Sequence, residues 1–179
     1  MAAFASSEKN PLVHLVHLPR GCVEQPPLGI AYLMGYLKAK GIPAKQVDYS
    51  VQLFASLPAN QKHFLDGSFC LNWIHEKEYK TVVKPVIDGY IEKWARELAA
   101  SPAKIIGFTM LTTSKLCTMD VIRRLKELAP EKFVVVGGPH VTRYEGGPEI
   151  IANPLVDLVV PGEGEEAFYE VVSAYLEGR

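Results

Sequence analysis

Short apolar runs alternate along this chain with longer amphipathic stretches, and that alternation carries most of what can be read from it. Residues 133–140, FVVVGGPH, open with four apolar residues, three of them β-branched, and stop on two glycines and a proline. A run this short, without polar alternation, predicts a strand covered on both faces, as parallel sheets require. LVHLVHL at 12–18 is a second such run, halted at Pro19; 44–49, ending at Asp48, 104–109 and 156–160 read as three further strands. Between them lie helical periodicities. Ile30, Leu33, Met34 and Leu37 recur at three- and four-residue spacing within 30–40, with Lys38 and Lys40 in the last turn and Gly41 as the stop. Val121, Ile122, Leu125 and Leu128 form another helical face ended by Pro130; 148–153 makes a short helix and 165–176 the last one. This order predicts an α/β fold: a flavodoxin-like, Rossmann-like doubly wound parallel sheet of about five strands, with its ligand crevice at the carboxyl ends of the strands. The crevice would be bordered by 19–29, 109–114, 137–142 and 161–165.

One segment breaks the alternation. Residues 51–100 are too many for a plain crossover and carry Phe54, Phe64, Phe69, Trp73 and Tyr79 before a helical pattern through Val82, Val83, Val86, Ile87, Tyr90, Ile91, Trp94 and Leu98. They are expected to form a helical insertion after the second strand, its aromatics packing a core rather than forming a lid, with Pro85 marking a helix start or bend. Residues 1–10 are expected to be a disordered tail and 11–179 a single domain.

Composition narrows the class. A chain of 179 residues can bury one substantial core, and its 48% hydrophobic and 22% charged content is that of an ordinary globular protein. A formal net charge of −1, without a concentrated basic surface, argues against nucleic acid as a partner. No apolar run approaches membrane-spanning length, and the first residues lack the basic start and long apolar centre of a secretion signal, so no membrane association and a cytoplasmic location are expected. Cys22, Cys70 and Cys117 are odd in number, far apart and without metal-site spacing, which fits reduced thiols.

Candidate chemistry concentrates at the strand ends. Gly137 and Gly138 either form a tight turn only or leave bare main chain for a flat ligand, in which case a bulky residue at 138 would close the slot while the fold survives. His14 and His17 fall in a strand, where a histidine is usually a satisfied structural residue; His17 lies closer to the ligand-bearing end. GEGEEA at 162–167 formally matches the dinucleotide pattern GxGxxA, but the acidic residue expected some twenty positions on falls past residue 179. Glu163, Glu165 and Glu166 would also repel a pyrophosphate at the helix start, so the stretch reads as a rim capping the last helix. HLPR at 17–20 lacks the acidic cluster of a phosphate-receiving signalling domain, and 21–27 lacks the phosphate loop of a flavodoxin. No nucleophile, base and orienting acid can be assembled, so no catalytic residue is assigned.

PPLGIAYL at 26–33 followed by Gly41, IGFT at 106–109, VGGPH at 136–140 and VDLVVPGEGE at 156–165 together resemble, in order and spacing, the cobalamin-binding domain that precedes the radical-SAM core in cobalamin-dependent radical-SAM enzymes. The resemblance covers the chain apart from the insertion. It implies base-off cobalamin, its nucleotide tail threaded into the crevice, with Thr109, Met110, Leu111, Thr112, Thr113, Gly137, Gly138, Pro139, His140, Gly162, Glu163, Pro27 and Gly29 as cofactor-binding residues. Thr109-Met110-Leu111 matches the wider fold's Ser/Thr-x-Leu motif. The DxHxxG motif, whose histidine ligates cobalt from below, has no match within 18–29, so the resemblance implies a lower face bordered by Arg20, Cys22 or Gln25, with no histidine metal ligand. The CxxxCxxC signature is absent from these 179 residues. S-adenosylmethionine and the iron–sulfur cluster would therefore belong to a radical-SAM domain or partner to which this chain presents cobalamin, for methyl transfer. The alternative is a cofactor-free doubly wound interaction or small-ligand domain.

Overall fold

The computed structural model describes residues 11–23, 26–142, 144 and 146–179. The expected tail at 1–10, and Gln25, lie outside them. Five strands, β1 (Val13–His17), β2 (Ala44–Asp48), β3 (Ile105–Thr109), β4 (Phe133–Gly137) and β5 (Leu158–Val160), form one parallel sheet in the order β2-β1-β3-β4-β5. This is the flavodoxin-like arrangement expected, with strand order reversing between β1 and β3. All five residues of β1 are buried, as an unalternating apolar run requires when helices cover both faces.

Alternate residues divide the sheet between two cores. Val13, Leu15, Ile105, Val135 and Val160 pack under α1 (Leu28–Ala39) and a C-terminal helix at Glu165–Leu176, through Ile30, Leu37, Phe168 and Val172. Val16, Ile106, Phe108, Val134 and Val136 face the opposite and larger core. That core is filled by α2 (Tyr49–Ser56), the insertion with its long helix α3 (Lys84–Ala100), and α4 (Lys115–Leu128). A short helix, α5 (Gly147–Ile151), precedes β5, and the C-terminal helix is α6. Leu28 and Gly29 extend α1 two residues upstream of its periodic stretch; both are exposed, so they contribute nothing to the buried-face pattern by which a helix is recognised. Strand β5 is shorter than 156–160: Val156 N closes the preceding turn by donating to the Asn153 carbonyl at 3.0 Å, and Asp157 N donates to the Val134 carbonyl of β4 at 3.0 Å just before the strand begins.

Most of the insertion's large aromatics pack the core, with Phe54 left exposed. Trp73 and Trp94 are fully buried, Tyr49 stacks on Trp94 with centroids 5.1 Å apart, and the Trp73 indole N–H donates to the Phe64 carbonyl at 2.8 Å. Pro85 sits in the first turn of α3, where its missing N–H costs nothing, and a single π-helical turn, Tyr79–Val83, leads into it. The Tyr79 hydroxyl and the Lys84 ammonium both donate to Asp120 on α4, tying the insertion to the main domain.

The two strand histidines diverge from the expectation of satisfied structural residues. His17 Nδ1 pairs with Asp48 Oδ1 at 3.2 Å, while its Nε2 has no partner. Neither His14 nitrogen is bonded, and burial, with Lys45 and Lys132 nearby, pushes its pKa down to about 4, so it stays neutral near pH 7. Among the described residues, no helix is long and apolar enough to cross a membrane.

Candidate functional site

A cavity of about 390 Å³ opens at the carboxyl ends of β3, β4 and β5, on the α1/α6 side of the sheet. Parallel register builds its floor: Leu15, Gly107 and Val135 are lateral neighbours, and the next tier toward the mouth is Thr109, Gly137 and Val160. Gly29, Ile30 and Leu33 of α1 form one wall and Phe168 of α6 the back. Gly138, Pro139, Thr142, Gly162, Glu163 and Glu165 edge the mouth. The lining is mostly apolar, with two threonine hydroxyls. Its charged groups are the carboxylates of Glu163 and Glu165, with no cation among the described lining residues. Such a slot suits a flat, uncharged ring with hydrogen-bonding edges better than it suits an anion.

Glycines shape it in different ways. A Cβ on Gly107 would come within 3.1 Å of both Leu15 and Phe168, so its absence lets those side chains close the floor. A Cβ on Gly137 would approach the Val160 carbonyl to 3.2 Å. Gly138 has φ +103°, and a Cβ there would meet Thr109 Oγ1 at 2.7 Å and Met110 N and O at 2.8 Å. The expectation that a bulky residue at 138 would plug the slot and spare the fold is therefore overturned: its side chain would run into the backbone after β3. What Gly138 permits is a clasp between two loops. Met110 N donates to the Gly137 carbonyl at 2.7 Å and His140 N donates to the Met110 carbonyl at 3.0 Å. Gly29 is the opposite case, since nothing lies within 4 Å of the position its Cβ would take.

Of the residues assigned from sequence, Thr109, Gly137, Gly138, Pro139, Gly162, Glu163 and Gly29 line this cavity. Met110 does not; it is fully buried in the larger core. Leu111, Thr112 and Thr113 lie past the mouth, in and before a turn of 3₁₀ helix at Thr112–Ser114. His140 also points away from the lining: its Nδ1 lies 3.1 Å from Thr112 Oγ1, and burial, with Lys115 nearby, holds its pKa below the ordinary histidine value. Pro27 caps the start of α1 without lining the cavity. Arg20 and Cys22 are half-buried in the loop after β1. No group of three or more candidate metal ligands exists among the described residues. Sequence reasoning missed Leu15, Gly107, Ile30, Leu33, Val135 and Phe168. An isolated glycine inside β3 was the one available signal, because a strand glycine marks close approach of another group.

Comparison with known proteins places this geometry. Residues 79–172 match the model of the B12 binding domain family. An uncharacterized methyltransferase of Pyrococcus horikoshii is 36% identical over 101 residues, 52% of this chain and 21% of that protein. The anaerobic magnesium-protoporphyrin IX monomethyl ester cyclase of Rubrivivax gelatinosus is 28% identical over 155 residues, 86% of this chain and 21% of that protein. The chain thus spans about a fifth of the length of these relatives. Among solved structures, the radical S-adenosylmethionine methyltransferase TsrM from Kitasatospora setae, with cobalamin and a 4Fe–4S cluster bound, superimposes with a TM-score of 0.55 at 17% identity over 94% of this chain and 27% of that one, a likeness of fold.

Proposed function

The chain belongs to the B12 binding domain family, and from that premise we propose that it holds cobalamin base-off and presents it to a radical-SAM domain or partner for methyl transfer. In this reading residues 11–179 are one cofactor domain and 51–100 an elaboration of it. The observation that carries the proposal is the open glycine-floored cavity at the strand ends. A scaffold that had lost its ligand would have no reason to leave bare main chain at Gly137 and an unobstructed Gly29 around a gap of about 390 Å³.

The chain's own residues fit the cofactor's nucleotide tail. The flat base would rest on the main chain at Gly137 and on the Leu15 and Phe168 side chains that cover Gly107, beside Ile30 and Leu33, with the Thr109 and Thr142 hydroxyls at its edge. Bound there, cobalamin supplies a cobalt able to accept and give up a methyl group. The chain binds and orients it. No histidine follows β1 in 18–29, and His17 itself is buried and engaged with Asp48, so the lower cobalt face is left to the loop carrying Arg20 and Cys22. Electron paramagnetic resonance of the cob(II)alamin-loaded chain tests this directly. A base-off spectrum free of nitrogen splitting is expected; a nitrogen triplet would show that a protein imidazole or the cofactor's own base lies beneath cobalt.

A further inference from the structure

Helix α1 turns an apolar side to solvent. From Leu28 to Leu37 it carries no charged side chain. Ile30 and Leu37, with Leu33 and Met34 beside them, pack toward the sheet. Left on the outward side are Leu28, Ala31, Tyr32, Gly35 and Ala39, all exposed, Leu28 at 62% and Tyr32 at 67%. A surface helix ordinarily places its charges there, so an outward side without them marks a face that another surface covers. Its relief indicates which surface. Leu28 and Tyr32 project, whereas Ala31, Gly35 and Ala39 leave a trough, with nothing within 4 Å of the position a Gly35 Cβ would take. Ridge and trough share one helix, so the face fits a copy of itself run in the opposite direction. Leu28 then meets Ala39 and Tyr32 meets Gly35, a large residue against a small one each time, and the two-fold axis repeats both pairs.

Charge supports the same pairing. On the α6 flank of α1, Glu163, Glu165, Glu166 and Glu170 line a shallow hollow with Tyr36. Glu163 stands at the amino end of α1, sharing the cavity mouth with Gly29. Lys40 stands at the carboxyl end, its ammonium 5.4 Å from the centre of the Tyr36 ring and 5.2 Å from that of Tyr169 on α6. An axis across the helix keeps the α6 flank of one copy against that of the other and reverses the ends, which brings Lys40 of one beside Glu163 of the other. We propose that the outward face of α1 is a homodimer interface, formed antiparallel through Leu28, Tyr32, Gly35 and Ala39. This goes beyond the cobalamin reading and does not depend on it. One helix face with a charged flank buries less than the roughly 800 Å² per partner of stable complexes, so the association is weak, in the micromolar-to-millimolar range.

Sedimentation velocity of the purified chain from about 10 μM to about 1 mM tests it, beside Tyr32→Glu and Gly35→Leu, with thermal unfolding as a control. Both positions are exposed, so neither variant should unfold earlier than wild type, and Gly35→Leu should gain slightly from helix propensity. The wild-type mass is expected to climb from that of one chain toward that of two. Tyr32→Glu sets a carboxylate in the middle of the face and Gly35→Leu fills the trough, so each should weaken pairing by about tenfold or more. A wild-type chain that stays monomeric throughout would overturn the proposal. So would a dimer that both variants leave intact. Loss in Tyr32→Glu with wild-type pairing in Gly35→Leu would overturn the antiparallel register, because a partner indifferent to the trough is not a second α1.

Discussion

Gly29→Trp isolates the cavity from the fold. Gly29 lies in the first turn of α1, is exposed, lines the cavity, and has nothing within 4 Å of its missing Cβ. A side chain can therefore start from this position without its Cβ meeting protein atoms. Helix propensity improves slightly over glycine, so stability should hold or rise by a few tenths of a kcal/mol. The effect on binding is set by what the indole excludes. An aromatic ring system buries about 150–250 Å², and at about 25 cal/mol per Å² a fully inserted base is worth roughly 4–6 kcal/mol. If only half of that reaches the measured affinity, the loss still exceeds about thirtyfold. The assay is a visible-absorbance titration with hydroxocobalamin, run beside circular dichroism and thermal unfolding. Cobinamide, lacking the base, should lose much less. Wild-type cobalamin affinity in a folded Gly29→Trp protein would refute the placement of the tail in this cavity.

Other predictions follow from the same coordinates. The unfolded chain takes up a proton on His14 near pH 6.5 and the folded chain only near pH 4, so between those values the unfolded state binds more protons and stability falls as pH drops, by roughly 3 kcal/mol in all. Urea titrations of wild type and His14→Leu across pH 4–7 check this: the variant should lose that part of the slope, and an unaltered slope would exclude His14 as its source. Gly138→Ala should cost about 1–3 kcal/mol, because its φ of +103° and its contacts with Thr109 and Met110 admit no side chain; a neutral result in chemical denaturation would contradict the loop clasp. Trp94→Ala should cost about 3–5 kcal/mol in the same assay, since it removes a buried ring stacked on Tyr49; a surface-like effect below about 1 kcal/mol would refute the core role of the insertion.

The sheet was legible because its signal is local. Five short strand segments between helical periodicities leave few topologies, and the glycines closing β4 mark the end where a ligand goes. Thr109, Gly137 and Gly162 could be placed at the crevice for that reason. Gly107 and Phe168 could not be paired from sequence, because they are 61 positions apart and meet only when α6 folds back across the sheet. The misplacement of Met110 has a similar origin: adjacent residues at a strand end point to opposite faces, so a three-residue motif cannot line one cavity with every member. Gly138 was read by its lack of a side chain, when its positive φ is what the structure uses. The insertion carried no sequence signal for its position; its contacts with Gly21 and with Thr112–Ser114 show that it packs on the loops after β1 and β3.

The central claim is that this domain retains a corrinoid by itself. Purified chain is mixed with hydroxocobalamin, passed through a desalting column, and its visible spectrum recorded. The account predicts a coloured protein fraction, near one corrinoid per chain, with the absorption of the base-off form; a colourless, correctly folded protein would contradict it.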